Sequence, residues 1–325
     1  MAKNKAQGAD AAEEDDWSSF MCPGGGTAFG RHDMTIVKLS DASIMRSNGR
    51  AAGRHQISIH CVSALSPLDM IDMYHGSQDA TGNRVWTGSL LFLEAFARTL
   101  PMPKSEHDES AAMQAKLGRL RAQAIGNRAV IELGCGTGLS GISILAVGEG
   151  SPASVTFTDC DGPALELARR NCEANIDDKS RYSVQQLEWG SNLPVDMNPK
   201  SYDSAIATDV LYDISSLAPL MQTASKLIKL GGYFVLSHVP RASIEADYGD
   251  GGSAAVARAD VLESLIVEEG TNHGLVLERC LRPGELSSIW DGLSLNMTSF
   301  ADVEDVGAAV LVFRRQVHCD GTCMR

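Results

Sequence analysis

Apolar and polar positions alternate in two stretches near the N-terminus, MTIVKLSD (34–41) and HQISIHCVS (55–63). This period predicts two strands, paired as a hairpin beside the main domain. From Trp86 the spacing becomes helical: Leu90, Leu93, Phe96 and Leu100 share a face, and Ser89 is placed to cap the helix. A second helix is predicted over Ser110–Ala124. Beyond it, short apolar runs take turns with helical patterns. The strand candidates are Ala129–Leu133, Ser154–Thr158, Tyr182–Leu187, Ser204–Ala207, Tyr233–Ser237, Leu275–Cys280 and Ala308–Phe313. The helices between them include Pro163–Asn175, with proline early in the first turn, and Leu217–Lys229, which should stop at Gly231-Gly232. Such alternation predicts an α/β fold, a doubly wound, Rossmann-like and largely parallel sheet whose ligands bind beyond the carboxyl ends of the strands.

The first of these strands runs into glycines, AVIELGCGTGLSGI (129–142). A strand, a glycine turn and a helix in that order cradle a nucleotide-like ligand, and two patterns overlap here. Gly136, Gly138 and Gly141 spell the dinucleotide fingerprint G-x-G-x-x-G. Gly134, Gly136 and Gly138 spell G-x-G-x-G with Glu132 two residues ahead. A carboxylate beside the turn would repel a pyrophosphate and suit S-adenosylmethionine, which carries a sulfonium and an ammonium and no phosphate. Asp159, ending VTFTDCD, can accept both ribose hydroxyls, which supports an adenosine without telling the two cofactors apart. Glu188 and Trp189 in QQLEWG fall just past the third strand. The indole could lie against adenine, or simply pack at the rim.

Composition narrows the partners. The chain has 325 residues, 44% hydrophobic and 21% charged, and no apolar run approaches the length of a bilayer span. The opening MAKNKAQGADAAEEDDW has no apolar core, so it reads as a disordered acidic tail and not as a secretory signal. With 28 Lys and Arg against 41 Asp and Glu, and no dense basic run, nucleic acid is not expected as the main partner. Eight cysteines follow no framework spacing, which predicts reduced thiols and an intracellular compartment, the cytoplasm with the nucleus as a second address. The terminal HCDGTC offers His318, Cys319 and Cys323, three potential ligands on a tail without a fourth, and no metal is expected.

VIELGCGTGLSGI, TDCD, LEWG and ATDVLYD together resemble the class I, seven-stranded S-adenosylmethionine-dependent methyltransferases. More narrowly they resemble methyltransferase family 16, a group rich in protein-lysine methyltransferases, whose Val-Trp element NRVWTGSLLFLEAF is similar to. The resemblance implies strand order 3-2-1-4-5-7-6 with the last strand antiparallel. It implies cofactor contacts by Trp86, Glu132, Gly134, Gly136, Asp159 and Trp189, joined by Thr208. It also implies that DVLY is the family's acid-x-x-aromatic motif, with Asp209 and Tyr212 facing the transferred methyl. By themselves, these two residues could equally be a helix cap and a core-edge aromatic. His238, in SHVPR at the end of the fifth strand, is placed to line the substrate mouth, although a lone histidine is more often structural. Asp72 and His75 precede the core, and MYHGSQDATGNRVW (73–86) is positioned to close as a lid.

The expected organisation is a tail (1–30), a hairpin extension (31–78), the methyltransferase domain (79–316) and a C-terminal tail (317–325). The expected function is methylation of a protein lysine by a monomer that binds S-adenosylmethionine and releases S-adenosylhomocysteine. Protein-histidine and small-molecule methylation are the alternatives within enzymes. A non-catalytic cofactor-binding subunit and a nicotinamide oxidoreductase lie outside that class. The N-terminal 75 residues and the stretch Glu285–Val306 have no counterpart in the family pattern.

Overall fold

The computed structural model describes residues 32–40, 54–62, 80–100, 109–148, 150–240, 245–246, 255–256 and 259–316. The expected tails, the His318–Cys323 group, Asp72 and His75 lie outside them.

Two strands, β1 (His32–Lys38) and β2 (Gln56–Val62), pair antiparallel as the alternation predicts. The main sheet contains β3 (Ala129–Leu133), β4 (Ser154–Asp159), β5 (Tyr182–Gln186), β6 (Tyr202–Thr208), β7 (Ile228–His238), β8 (Leu275–Leu281) and β9 (Ala309–Arg315). Their spatial order is β5-β4-β3-β6-β7-β9-β8, and β9 runs antiparallel to both neighbours. Counted along the core, this is the 3-2-1-4-5-7-6 arrangement. Strands buried on both faces read as continuous apolar runs, which is why Ala129–Leu133 and Ala309–Phe313 carry so few polar residues.

Helices cover both faces. On one lie α1 (Thr87–Phe92, prolonged by a wide turn over Leu93–Ala97), α2 (Glu109–Ala124), α3 (Leu139–Ala146) and α4 (Gly162–Asn175). The core there joins Val130, Phe157 and Val235 to Phe92, Phe96 and Ile142. On the other lie α5 (Leu217–Leu227) and α6 (Ala259–Asn272), packed on Ile131, Phe234 and Phe313. Among the described residues, no helix is long and apolar enough to cross a membrane.

Two expectations need correction. Gly231-Gly232 does not stop a helix: α5 ends at Leu227, and the glycines lie inside β7 where its pairing with β6 shifts register. A side chain at Gly232 would sit 2.5 Å from the Asp203 carbonyl, so it marks a close backbone approach. Ser89 is not a cap either. The helix begins two residues earlier, and Ser89 lies inside it, buried.

The unmatched stretch Glu285–Val306 forms α7 (Pro283–Ile289), a loop and α8 (Ala301–Glu304). The loop is held by Glu94, a fully buried carboxylate that accepts from Arg98 at 2.8 Å, Ser294 Oγ at 2.7 Å and the Leu295 N–H at 3.1 Å. Arg98 also lies 3.9 Å over the Trp290 ring. Arg121 donates to the carbonyls of Ala95, Arg98 and Glu94, and burial pushes its pKa down to about 9. None of this polar cluster reaches the cavity described next.

Candidate functional site

The chain turns from β3 into α3 with Gly134, Gly136 and Gly138 all left-handed, at φ of 70°, 49° and 76°. L-residues other than glycine adopt these angles only at a cost. Space is short as well: a Cβ on Gly134 would lie 2.8 Å from Val210 Cγ1 and 3.0 Å from Trp189 Cζ2. A Cβ on Gly136 would lie 2.8 Å from the Gly82 carbonyl. Asp159, at the end of β4, fastens the turn by accepting the Gly136 N–H at 3.0 Å, and it accepts the Asp161 N–H at 3.1 Å.

The opposite wall is assembled from distant segments. Just past β6, Asp209 takes φ +58°, a conformation strained for a residue with a side chain. Its carboxylate accepts the Gly88 N–H at 3.0 Å, capping the first turn of α1 from another part of the chain. Gly88 has to be glycine for space alone, because a Cβ there would meet Asp209 Cβ at 2.8 Å. Ser237 Oγ donates to the Gly88 carbonyl at 2.7 Å. Thr208 Oγ1 lies 2.9 Å from both Ser89 Oγ and Ser140 Oγ, linking this wall to the helix after the glycine turn.

Between the walls is a cavity at the carboxyl ends of β3, β4 and β6. Of the site residues expected from sequence, Trp86, Gly134, Gly136, Asp159, Thr208, Asp209 and Tyr212 line it. Trp86 donates its indole N–H to the Thr81 carbonyl at 2.8 Å, which folds 81–86 along the rim where a lid was expected. Tyr212, 45% exposed, stands at the mouth. Thr81, Gly82, Arg84, Cys135, Thr137, Cys160 and Asp161 also line the cavity, and sequence reasoning did not single them out. The approach of Gly82 to Gly136 leaves no signal in either segment read alone.

Four residues singled out from the sequence are placed differently. Glu132 is only 1% exposed and lies beneath the turn, where its carboxyl accepts the Gly141 N–H at 3.1 Å. Burial pushes its pKa up to about 8, against which the Gly141 bond works, so the group is largely neutral at pH 7. Its charge therefore does not repel a phosphate. Instead it occupies the helix N-terminus that a phosphate would need. Trp189 packs against the far side of Gly134 and Val210 and does not line the cavity; nor does Glu188. His238 is buried away from it, and desolvation lowers its pKa to about 4, which keeps the ring neutral.

The charge preference comes from the lining itself. Among the described residues it holds the carboxylates of Asp159, Asp161 and Asp209 against the single guanidinium of Arg84. Arg84 leans on Trp86, 5.3 Å from the ring centroid. A dinucleotide pyrophosphate would meet net negative charge here, whereas a sulfonium and an ammonium would be attracted. The glycine cradle and the acid at the end of β4 fit an adenosine carrying such a cation.

The family model and the relatives found by sequence point the same way. The family model for lysine methyltransferases matches residues 68–250. Relatives include the protein N-lysine methyltransferase METTL21A of Xenopus tropicalis, 36% identical over 38% of this chain and 54% of that one. The METTL21A of Danio rerio is 41% identical over 30% of this chain and 43% of that one. The matched stretch thus spans about half the length of these relatives. Among solved structures, geranyl diphosphate C-methyltransferase from Streptomyces coelicolor is similar at 14% identity and a TM-score of 0.41, over 66% of this chain and 85% of that one.

Proposed function

The chain belongs to the lysine methyltransferase family, and from that premise we propose that it transfers a methyl group from S-adenosylmethionine to a lysine side chain of a protein. The observation that carries this reading is the cavity lining, where acids at the ends of β4 and β6 flank a glycine cradle that has no room for side chains.

When bound, the cofactor would supply a methyl on a sulfonium; in-line attack of a neutral amine on that methyl would form the N–C bond as the C–S bond breaks and S-adenosylhomocysteine leaves. The chain's own part is to bind, orient and desolvate. In this reading Asp159 holds the ribose hydroxyls while fastening the turn through the Gly136 N–H. Asp209 lies on the opposite wall, on the side of the exposed Tyr212, where a substrate chain enters. Its carboxylate orients the arriving ammonium. A negative group raises an amine's pKa, so Asp209 does not deprotonate it, and the proton leaves to water at the mouth. A lysine starts from a pKa of about 10.4, so its neutral fraction rises with pH across the physiological range. The Tyr212 ring walls the channel and offers a π face to the methylated cation.

The test is incubation of the purified chain with methyl-labelled S-adenosylmethionine and a cell lysate, then mass-spectrometric location of the label. Label on a protein lysine is the expected result. Label only on histidine or only on small molecules, or none at all, would overturn the proposal.

A further inference from the structure

Asn171 and Asn175 lie one helical turn apart on α4, both buried, and each clamps one residue of β2. Asn175 Oδ1 accepts the Ser58 N–H at 3.0 Å and its Nδ2 donates to the Ser58 carbonyl at 2.7 Å. Asn171 Oδ1 accepts the His60 N–H at 2.8 Å and its Nδ2 donates to the His60 carbonyl at 3.0 Å. Four residues of helix rise about 6 Å and two residues of strand about 6.7 Å, so the two amides read alternate residues of the β2 edge as a further strand would.

The two asparagines differ in their remaining N–H. That of Asn175 goes back to the Asn171 carbonyl within the helix at 2.8 Å. That of Asn171 goes to the carbonyl of Thr137 at 2.9 Å, inside the glycine turn and on the cavity wall. The same face of α4 also backs the next residue of the turn, with Ala168 Cβ 3.5 Å from where a Cβ on Gly138 would be. Both N–H groups and the oxygen of Asn171 are therefore engaged, and one amide ties the N-terminal hairpin to the turn.

We propose that Asn171 is a positioning residue for the cofactor turn, and that through it the β1–β2 hairpin becomes a working part of the cofactor site. This rests on the reading that S-adenosylmethionine occupies the turn. The hairpin lies ahead of residues 68–250, the stretch that the family model matches. Asparagine suits the position in a way its neighbours in chemistry do not. Aspartate keeps the acceptor and loses both donors, and leaves two carbonyls facing a carboxylate.

The experiment is calorimetry with S-adenosylhomocysteine on the wild type, Asn171→Ala and Asn175→Ala, with thermal unfolding of each. Both substitutions remove a clamp on β2, so both should lower Tm by similar amounts. Only Asn171→Ala should weaken ligand binding, by about tenfold, the loss expected when one buried carbonyl in the turn loses its partner. Asn175→Ala should stay within about twofold. Equal affinity changes in the two variants, or none in Asn171→Ala, would overturn the proposal while leaving the cofactor assignment intact. Absence of binding by the wild type would instead overturn the assignment. Should Asn171→Ala fail to fold, hydrogen exchange on the wild type decides: ligand should slow exchange of the His60 amide in β2. Protection confined to the turn would count against the proposal.

Discussion

The two walls of the cavity solve the same steric problem in opposite ways. On the β3–α3 side the backbone takes left-handed angles at Gly134, Gly136 and Gly138, and glycine fills every such position. On the β6 side the left-handed residue is Asp209, which keeps its side chain, while the glycine is Gly88, needed for space and not for angle. The first wall is bare backbone, shaped to let a ligand lie close. The second accepts local strain in order to hold a carboxylate at the cavity surface. Strain of that kind, about 1–3 kcal/mol, persists only where surrounding bonds enforce it. Here the Gly88 N–H, and the Asp209 N–H bonded to the Ser237 carbonyl at 2.7 Å, supply that enforcement. The contrast suggests a division of labour, with one wall binding and the other acting on the substrate.

The largest effect is expected on the bare wall. Gly134→Arg should abolish detectable binding of S-adenosylhomocysteine in calorimetry, because a side chain at φ 70° crowded against Val210 and Trp189 would force the turn that forms the cavity wall to distort. Circular dichroism should report a folded protein, and wild-type affinity in this variant would move the binding wall elsewhere.

Beneath that wall, Glu132 makes the stability of the wild type depend on pH. Its folded pKa of about 8 lies above the unfolded value of 4.5, so the folded state retains a proton that the unfolded state releases. Stability is then full below pH 4.5, declines as pH rises towards 8, and levels off beyond. Glu132→Gln removes this decline. Relative to wild type the variant should gain stability across the same window, by about 3–5 kcal/mol at most. Denaturant unfolding at pH 5, 7 and 9 checks it, and a constant difference would mean that Glu132 is ionised in the fold.

On the strained wall, Asp209→Ala should lower turnover by about a hundredfold while S-adenosylhomocysteine affinity stays within a few fold. It should also lower stability by about 1 kcal/mol through loss of the cap on Gly88. Asp209→Asn separates these roles: the amide oxygen can still cap, so stability should hold while turnover falls. Turnover at the wild-type rate in Asp209→Asn would reduce Asp209 to a capping residue. Gly88→Ala tests the spacing at this wall through stability alone, since it forces a methyl against Asp209 Cβ. A loss of about 1–3 kcal/mol in thermal or denaturant unfolding is expected.

The same contrast explains what the sequence could reveal. The glycine wall is contiguous, and its strand, turn and helix were legible from residues 129–146, as was the acid at the end of the next strand. The Asp209 motif was legible by resemblance. Its anchorage was not, because the capping donor Gly88 lies 121 residues away and the supporting hydroxyl of Ser237 is 149 residues from the carbonyl it holds. Pair relations across such distances leave no periodicity to read. Glu132 was identified at the right place but assigned the wrong direction, since position along a strand does not say whether a carboxyl at its end faces the ligand or the helix beneath. Gly231-Gly232 resembled a helix stop because a close strand approach and a helix terminus both call for glycine.

The division of labour depends on what the bare wall binds, and titration calorimetry near pH 7 with S-adenosylhomocysteine and with NAD, run in parallel on the wild type, tests that most directly. Saturable binding of S-adenosylhomocysteine with no heat from NAD is the predicted result. Binding of NAD with none of S-adenosylhomocysteine would mean that the carboxylates of Asp159, Asp161 and Asp209 do not set the ligand's charge, and the account of both walls would fall with it.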